Sequence, residues 1–282
     1  MALYNDDTIH SIIEEVNQKY FLPDIQRSFV WKQDQIYTLF DSIMRGYPIN
    51  TFLFWKVSKD YLQENKIKRF KFLLENKEEN VEELTFSDRD YFLVLDGQQR
   101  ITTLNLTLKG HYIEKNKKKE LFMDVLSGKK ENDDGLLYEF KFLGNVGELY
   151  FKENERIWVN VKRIYECSDD EQKRALRNEI KKLKPEFEDL IEGNVDRLHS
   201  RLKSEELLNY YTEKEKDYKK VLDIFVRTNS GGTKLTPSDL LFSTIKLRWS
   251  DARDNFTNLL SEINGDIFDF DTDFVLKTCL VL

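Results

Sequence analysis

The sequence predicts a mixed α/β fold, and three observations predict it. Thr51 to Val57 and Tyr91 to Leu95 are short runs of aromatic, β-branched and leucine residues, the signature of buried strands. Lys32 to Arg45 places Ile36, Leu39, Phe40, Ile43 and Met44 on one helical stripe. Between residues 91 and 108, YFLVLDGQQRITTLNLTL, the apolar period changes from strand to helix at Asp96-Gly97, with Ile101, Leu104 and Leu108 on one face and Leu106 off it.

The remaining elements follow in chain order. Asp7 or Thr8 caps a short helix carrying Ile9, Ile12, Ile13 and Val16. Pro23 ends any helix before it and favours extended backbone. Gln26, Arg27, Phe29, Val30 and Trp31 then lie on a loop or short extended piece, and Gly46 stops the 32–45 helix with Pro48 just beyond. Lys59 to Asp90 is charged and reads as a variable insertion or an edge hairpin. From Gly110 to Ser200 the composition is strongly mixed-charge. Asp133-Asp134-Gly135 marks a turn and LLYEFKFL a strand, Arg156 to Tyr165 has weak helical or strand character, and Asp169 to Leu202 is helical with a break near Pro185. Leu207 to Tyr211 is a strand, and Lys216 to Asn229 a helix with Tyr218, Val221, Leu222 and Phe225 on one face. Asn229-Ser230-Gly231-Gly232 ends that helix, and Thr236, Pro237 and Asp239 start another. After Ser250 the chain is helical and acidic. Its apolar ending without a polar tail reads as the truncated start of a helical C-terminal region.

Composition narrows the function classes. A net charge of −7 and a pI near 5.3 disfavour a surface that coats DNA, although Lys115 to Lys119 forms a local basic cluster, read as a solvated loop or helix end. The chain lacks a signal-peptide pattern and any apolar run of the roughly 20 residues a membrane helix needs, which points to a cytoplasmic protein. Cys167 and Cys279 make no disulfide framework and read as free thiols. His10, His111 and His199 have no zinc-ligand spacing, which argues against a histidine-centred catalyst.

The residues at 96–100 carry the chemistry. A helix start leaves backbone N–H groups without partners and concentrates positive potential, so phosphates bind there. Gly97 allows close approach, Arg100 offers a two-pronged donor, and Gln98 and Gln99 add neutral donors. Asp96 can hold a magnesium ion or orient a water; it can equally cap the helix, since Asp-Gly is a common turn. This is not a Walker loop, because GxxxxGK[ST] is absent. Arg27 is a surface arginine, an arginine stacked on Trp31, or part of the same pocket. Arg227, Asn229 and the glycine pair sit at a helix-loop-helix junction that either closes over a ligand or is an ordinary corner.

Three ordered segments, IQRSFVW (25–31), LDGQQRITTL (95–104) and IFVRTNSGGTKLTPSDL (224–240), resemble the N-terminal domain family of GmrSD-type restriction endonucleases, distantly similar to ParB and sulfiredoxin. The resemblance implies a ParB/sulfiredoxin-like α+β core with a small mixed sheet over residues 1–250. It is interrupted by an insertion at about 113–204, read as helical, and followed by a helical part over 251–282. It implies binding of NTP with Mg2+, and hydrolysis, with Asp96, Gln99 and Arg100 catalytic and Asp96 on the metal. Gln26, Arg27, Gly97, Gln98, Arg227, Asn229 and Gly232 would bind the nucleotide. It also implies defence against foreign, often modified, DNA, a separate nuclease domain or subunit, and possible self-association. The alternative is a nucleotide-gated DNA-binding regulator or assembly module without turnover.

Overall fold

The computed structural model describes residues 4–23, 29–83, 85–228, 245, 249, 252–264 and 270–281. The chain divides into two compact units, Met1–Pro23 with Ser28–Thr212, and Asp24–Arg27 with Glu213–Leu282.

The first unit opens with strand β1 (Tyr4–Asp7) and helix α1 (Ile9–Glu15), whose N-cap Thr8 hydroxyl accepts from Ser11 N at 3.0 Å. Strand β2 (Tyr20–Pro23) follows, then helix α2 (Gln33–Arg45), closed by Gly46 in the left-handed region as its stripe and glycine predict. Next come β3 (Phe52–Val57), α3 (Lys59–Glu64), the two-residue β4 (Arg69–Phe70), β5 (Tyr91–Asp96) and α4 (Gln98–Leu108). The expected edge element within 59–90 is β4, antiparallel to β2. With β11 (Leu208–Glu213) these strands form one six-stranded sheet in the order β1-β11-β3-β5-β2-β4. It is mixed, since β5 runs antiparallel to β3 and parallel to β2, with Tyr20 opposite Phe92 and Phe21 opposite Leu93.

The expectation of a helical middle segment is corrected. Residues 112–160 form a second, five-stranded sheet from β6 (Tyr112–Glu114), β7 (Lys117–Asp124), β8 (Phe140–Leu143), β9 (Tyr150–Glu153) and β10 (Arg156–Asn160). All of its pairings are antiparallel. The KNKKK cluster is a hairpin: Lys115 and Asn116 both have positive φ, joining Glu114 to its partner Lys117 across a tight turn. β7 shows no polar alternation because Leu121, Phe122 and Met123 are all fully buried, so both of its faces are covered. Helices follow as expected: α5 (Val161–Glu166), α6 (Asp170–Lys181), a short 3-10 turn at Pro185–Phe187, and α7 (Glu188–Lys203).

A single apolar cluster joins both sheets. Ile12, Phe40, Phe54, Val94 and Leu104 belong to it together with Met123, Phe140, Val159, Ile164 and Leu198. The middle segment therefore shares the core of the first unit. Burying one such side chain contributes about 1.5–3 kcal/mol.

In the second unit, helices α8 (Tyr218–Thr228), Ala252–Ile263 and Thr272–Val281 are described. The expected corner at 229–239 lies outside the described residues. Among the described residues no helix is long and apolar enough to cross a membrane.

Candidate functional site

Helix α4 is buried along nearly its whole length. Ten of its eleven residues are buried, leaving only Arg100 outside that set. Ile101, Leu104 and Leu108 enter the main core, whereas Leu106, also at 0% exposure, is buried on another side of the helix. A helix buried all round must satisfy its polar side chains internally. Thr102 Oγ1 donates to Gln98 O at 2.8 Å, Thr107 Oγ1 to Thr103 O at 2.7 Å, and Asn105 Nδ2 to Leu73 O at 2.8 Å.

The turn into this helix has a particular form. Gly97 is the N-cap at φ 91° and ψ 8°, in the left-handed region, and no side chain caps the helix start. A Cβ at this position would stand 2.2 Å from Phe52 Cδ1 and 2.7 Å from Cε1. Both conformation and space therefore require glycine. Phe52, at 1% exposure, is the residue that sequence reasoning missed here; in TFLFW it carried only a core signal.

Arg100 is turned inward. Its side chain is 11% exposed, and its guanidinium sits 4.3 Å from the Phe52 ring centroid. Nη1 donates to Ile49 O at 2.5 Å, and Nη2 to Thr51 O at 3.3 Å and to Asp96 Oδ2 at 3.2 Å. Burial pushes the guanidinium below its ordinary value, and the Asp96 charge opposes this. The fork thus ties the 49–51 loop to the end of β5. Asp96 remains about one-third exposed, with one carboxylate oxygen engaged by Arg100.

The glutamines are also structural donors and acceptors. Gln98 Nε2 donates to Val94 O at 2.9 Å inside the core. Gln99 Oε1 accepts the Val30 N–H at 2.9 Å. That bond joins the first sequence motif to the second across 69 residues. The sheet adds to it. β2 and β5 are parallel, so their carboxyl ends, Pro23 and Asp96, open at the same edge. The chain leaves β2 at that edge and is next described at Phe29, beside Val30. Sites in open α/β sheets form at such carboxyl ends.

Of the remaining expected residues, Gln26, Arg27, Asn229 and Gly232 lie outside the described residues. Arg227 belongs to the second unit, on the last turn of α8, and pairs with Asp223 at 3.0 Å while 77% exposed. Trp31 packs against the core cluster, as its apolar neighbours predict. Both cysteines are free. Among the described residues no group of three or more His, Cys, Asp or Glu side chains is arranged to hold a metal ion.

Comparison with known proteins places the chain. It is 27% identical over 300 aligned residues to Uncharacterized protein MJ0686 of Methanocaldococcus jannaschii, an alignment covering 93% of this chain and 46% of that protein. The chain therefore spans about half the length of the curated relative it matches. Residues 9–246 match the GmrSD restriction endonuclease N-terminal domain, and since that match takes in most of the chain and all the elements from α1 through α8, the protein belongs to the GmrSD restriction endonuclease N-terminal domain family.

Proposed function

We propose that the start of α4 binds the phosphates of a nucleoside triphosphate and promotes its hydrolysis, within a protein that targets DNA in defence. The observation that carries this reading is the turn at Gly97. A left-handed glycine without a side-chain cap begins a buried helix at the carboxyl end of an inner strand. Such an end presents backbone N–H groups and positive potential to an anion.

In this reading the Gln98 and Gln99 backbone amides meet phosphate oxygens. Arg100 acts as a positioning residue. Its nitrogens hold Asp96 and the 49–51 loop. Asp96, with one carboxylate oxygen engaged by Arg100, would hold magnesium or position the attacking water; a single carboxylate with phosphate oxygens suits that ion. Magnesium, when bound, would neutralise charge building on the phosphoryl oxygens. Gln26, Arg27, Arg227, Asn229 and Gly232 stay candidate nucleotide-binding residues on the motif resemblance alone. The DNA, any modification on it, a nuclease partner and self-association belong to the full-length protein and stand as proposals with it.

A second reading, nucleotide-gated regulation without turnover, is favoured by the inward fork of Arg100, which leaves the γ-phosphate without that cation. Calorimetric titration of the four NTPs with and without Mg2+, beside a phosphate-release assay, tests both. Micromolar binding with steady release supports hydrolysis, and binding without release supports the regulator. No binding of any NTP overturns both.

A further inference from the structure

The basic run at 115–119 has no part in the α4 site. It forms the tip and one arm of the β6–β7 hairpin, within the first unit. Lys115 and Asn116 make the two-residue turn, at φ 49° and 61°. Asparagine takes this left-handed region several times more often than most residues, whereas lysine there is uncommon. Lys115 to Lys118 are all exposed.

The hairpin is held in one position by the turn at 75–77. Asn76 Oδ1 accepts the Ile113 N–H at 2.5 Å, and Asn76 Nδ2 donates to Ile113 O at 3.2 Å. Lys118 pairs with Glu75 at 2.5 Å, and the Glu75 backbone bridges to His111. The same turn brings a further cation to the tip, since Lys77 Nζ donates to Asn116 Oδ1 at 2.8 Å.

The charges there divide into two groups. Lys118 and Lys119 are neutralised by Glu75 and Glu114. Lys77, Lys115 and Lys117 make no ion pair among the described residues. Of the nearby carboxylates, Glu78 accepts the Leu74 and Glu75 N–H groups at 3.1 Å. Glu79, exposed two residues beyond Lys77, offsets part of the charge. Asn116 touches Lys77 and lies between Lys115 and Lys117, so three lysines without carboxylate partners share one tip. They do so in a chain of net charge −7, whose overall field repels a polyanion.

We propose that this tip contacts the phosphate backbone of double-stranded DNA. The proposal rests on the reading that the protein targets DNA, and it names where this chain touches it. A two-stranded ribbon is a shape that the major groove of B-form DNA admits, while the major groove of A-form RNA is too narrow for side chains to read. Lysine contacts to phosphates supply affinity and position, not sequence preference. The hairpin is fixed beforehand, so little ordering is lost when it docks.

The test uses the full chain, without nucleotide, and a short labelled DNA duplex, read by fluorescence anisotropy over a range of salt. The proposal expects binding that weakens as salt rises and is indifferent to sequence. Lys77→Gln, Lys115→Gln and Lys117→Gln together are expected to lower the salt slope by roughly 2–3, about 0.9 for each phosphate contact. Lys130, Lys152 and Lys182 are exposed elsewhere. Changing those three to glutamine alters the net charge equally and is expected to leave the slope as it was. Should the tip variant misfold, Lys115→Asn alone, which the left-handed turn accommodates, is expected to lower the slope by about 1. An unchanged slope in the tip variants, or an equal loss in the control variant, overturns the proposal while DNA binding persists, so the failure of the tip is distinct from the failure of the DNA reading. A native chain that does not bind the duplex overturns both for this chain. Equal binding of duplex RNA or of polyglutamate overturns the proposal as well. No nucleotide is present, so these readouts are independent of the α4 site.

Discussion

Replacing Gly97 by alanine is the sharpest perturbation of the α4 turn. Two costs are separable. The backbone at φ 91° lies where an L-residue pays roughly 1–2 kcal/mol. The new methyl meets Phe52 Cδ1 at 2.2 Å and Cε1 at 2.7 Å, within a ring that is 1% exposed. Such overpacking adds about 1–3 kcal/mol. The sum is about 2–5 kcal/mol, a large share of the roughly 5–15 kcal/mol by which a domain is stable. Urea unfolding measures it, read as the change in midpoint at constant slope. Phe52→Val removes both offending ring atoms but leaves the backbone unchanged. In that background Gly97→Ala is expected to cost only the backbone share, about 1–2 kcal/mol, a coupling of at least about 1 kcal/mol. A cost below about 0.5 kcal/mol in the native background, or equal costs in both backgrounds, refutes the reasoning.

Three further outcomes follow from the same contacts. Arg100→Lys keeps a charge but loses the fork that holds Ile49 O, Thr51 O and Asp96 together; urea unfolding is expected to show a loss of about 1–3 kcal/mol, and no loss contradicts the inward placement. Gln99→Leu removes the acceptor of the Val30 N–H, and hydrogen exchange at Val30 is expected to accelerate about fivefold or more, whereas unchanged exchange would show that the bond does not hold the first motif in place. His10, His111 and His199 all titrate below their usual 6.5 in the folded chain, chiefly through burial, so the unfolded chain takes up protons first. Their contribution is complete above pH 6.5 and is lost as pH falls through the lower folded values; the urea midpoint should drop between pH 7.5 and 5.5, and replacing all three by glutamine should flatten that drop.

The local chemistry of several elements was legible because it repeats with the period of one secondary structure. The apolar stripe of α2 with its closing Gly46, the strand TFLFWKV and the switch at Asp96-Gly97 all emerge where their residues imply. Of the second sheet, β8 was legible within LLYEFKFL and β10 only as an undecided stretch; β6, β7 and β9 were not, for a physical reason. β7 joins a lysine-rich hairpin arm, exposed at Lys117 and Lys118, to a stretch covered on both faces, so neither half alternates. Without alternation, the lysine-rich arm reads as a solvated loop or helix end. The site divides in the same way. That residues 96–100 form a strand-to-helix turn follows from neighbours in sequence. That Arg100 faces Ile49 and Thr51, and that Gln99 holds Val30, depends on contacts between positions 49 to 69 residues apart, which leave no local mark. The engaged Arg100 fork is accordingly a positioning device in the present account, where the motif alone pointed to a phosphate clamp.

The most direct test of the central claim follows the backbone amides at the start of α4. A nitrogen-15 labelled chain is titrated with a slowly hydrolysed nucleoside triphosphate and magnesium. The account predicts that the Gln98 and Gln99 amide resonances move first and furthest and saturate together. A triphosphate that leaves these amides in place, whether it binds elsewhere or fails to bind, contradicts it.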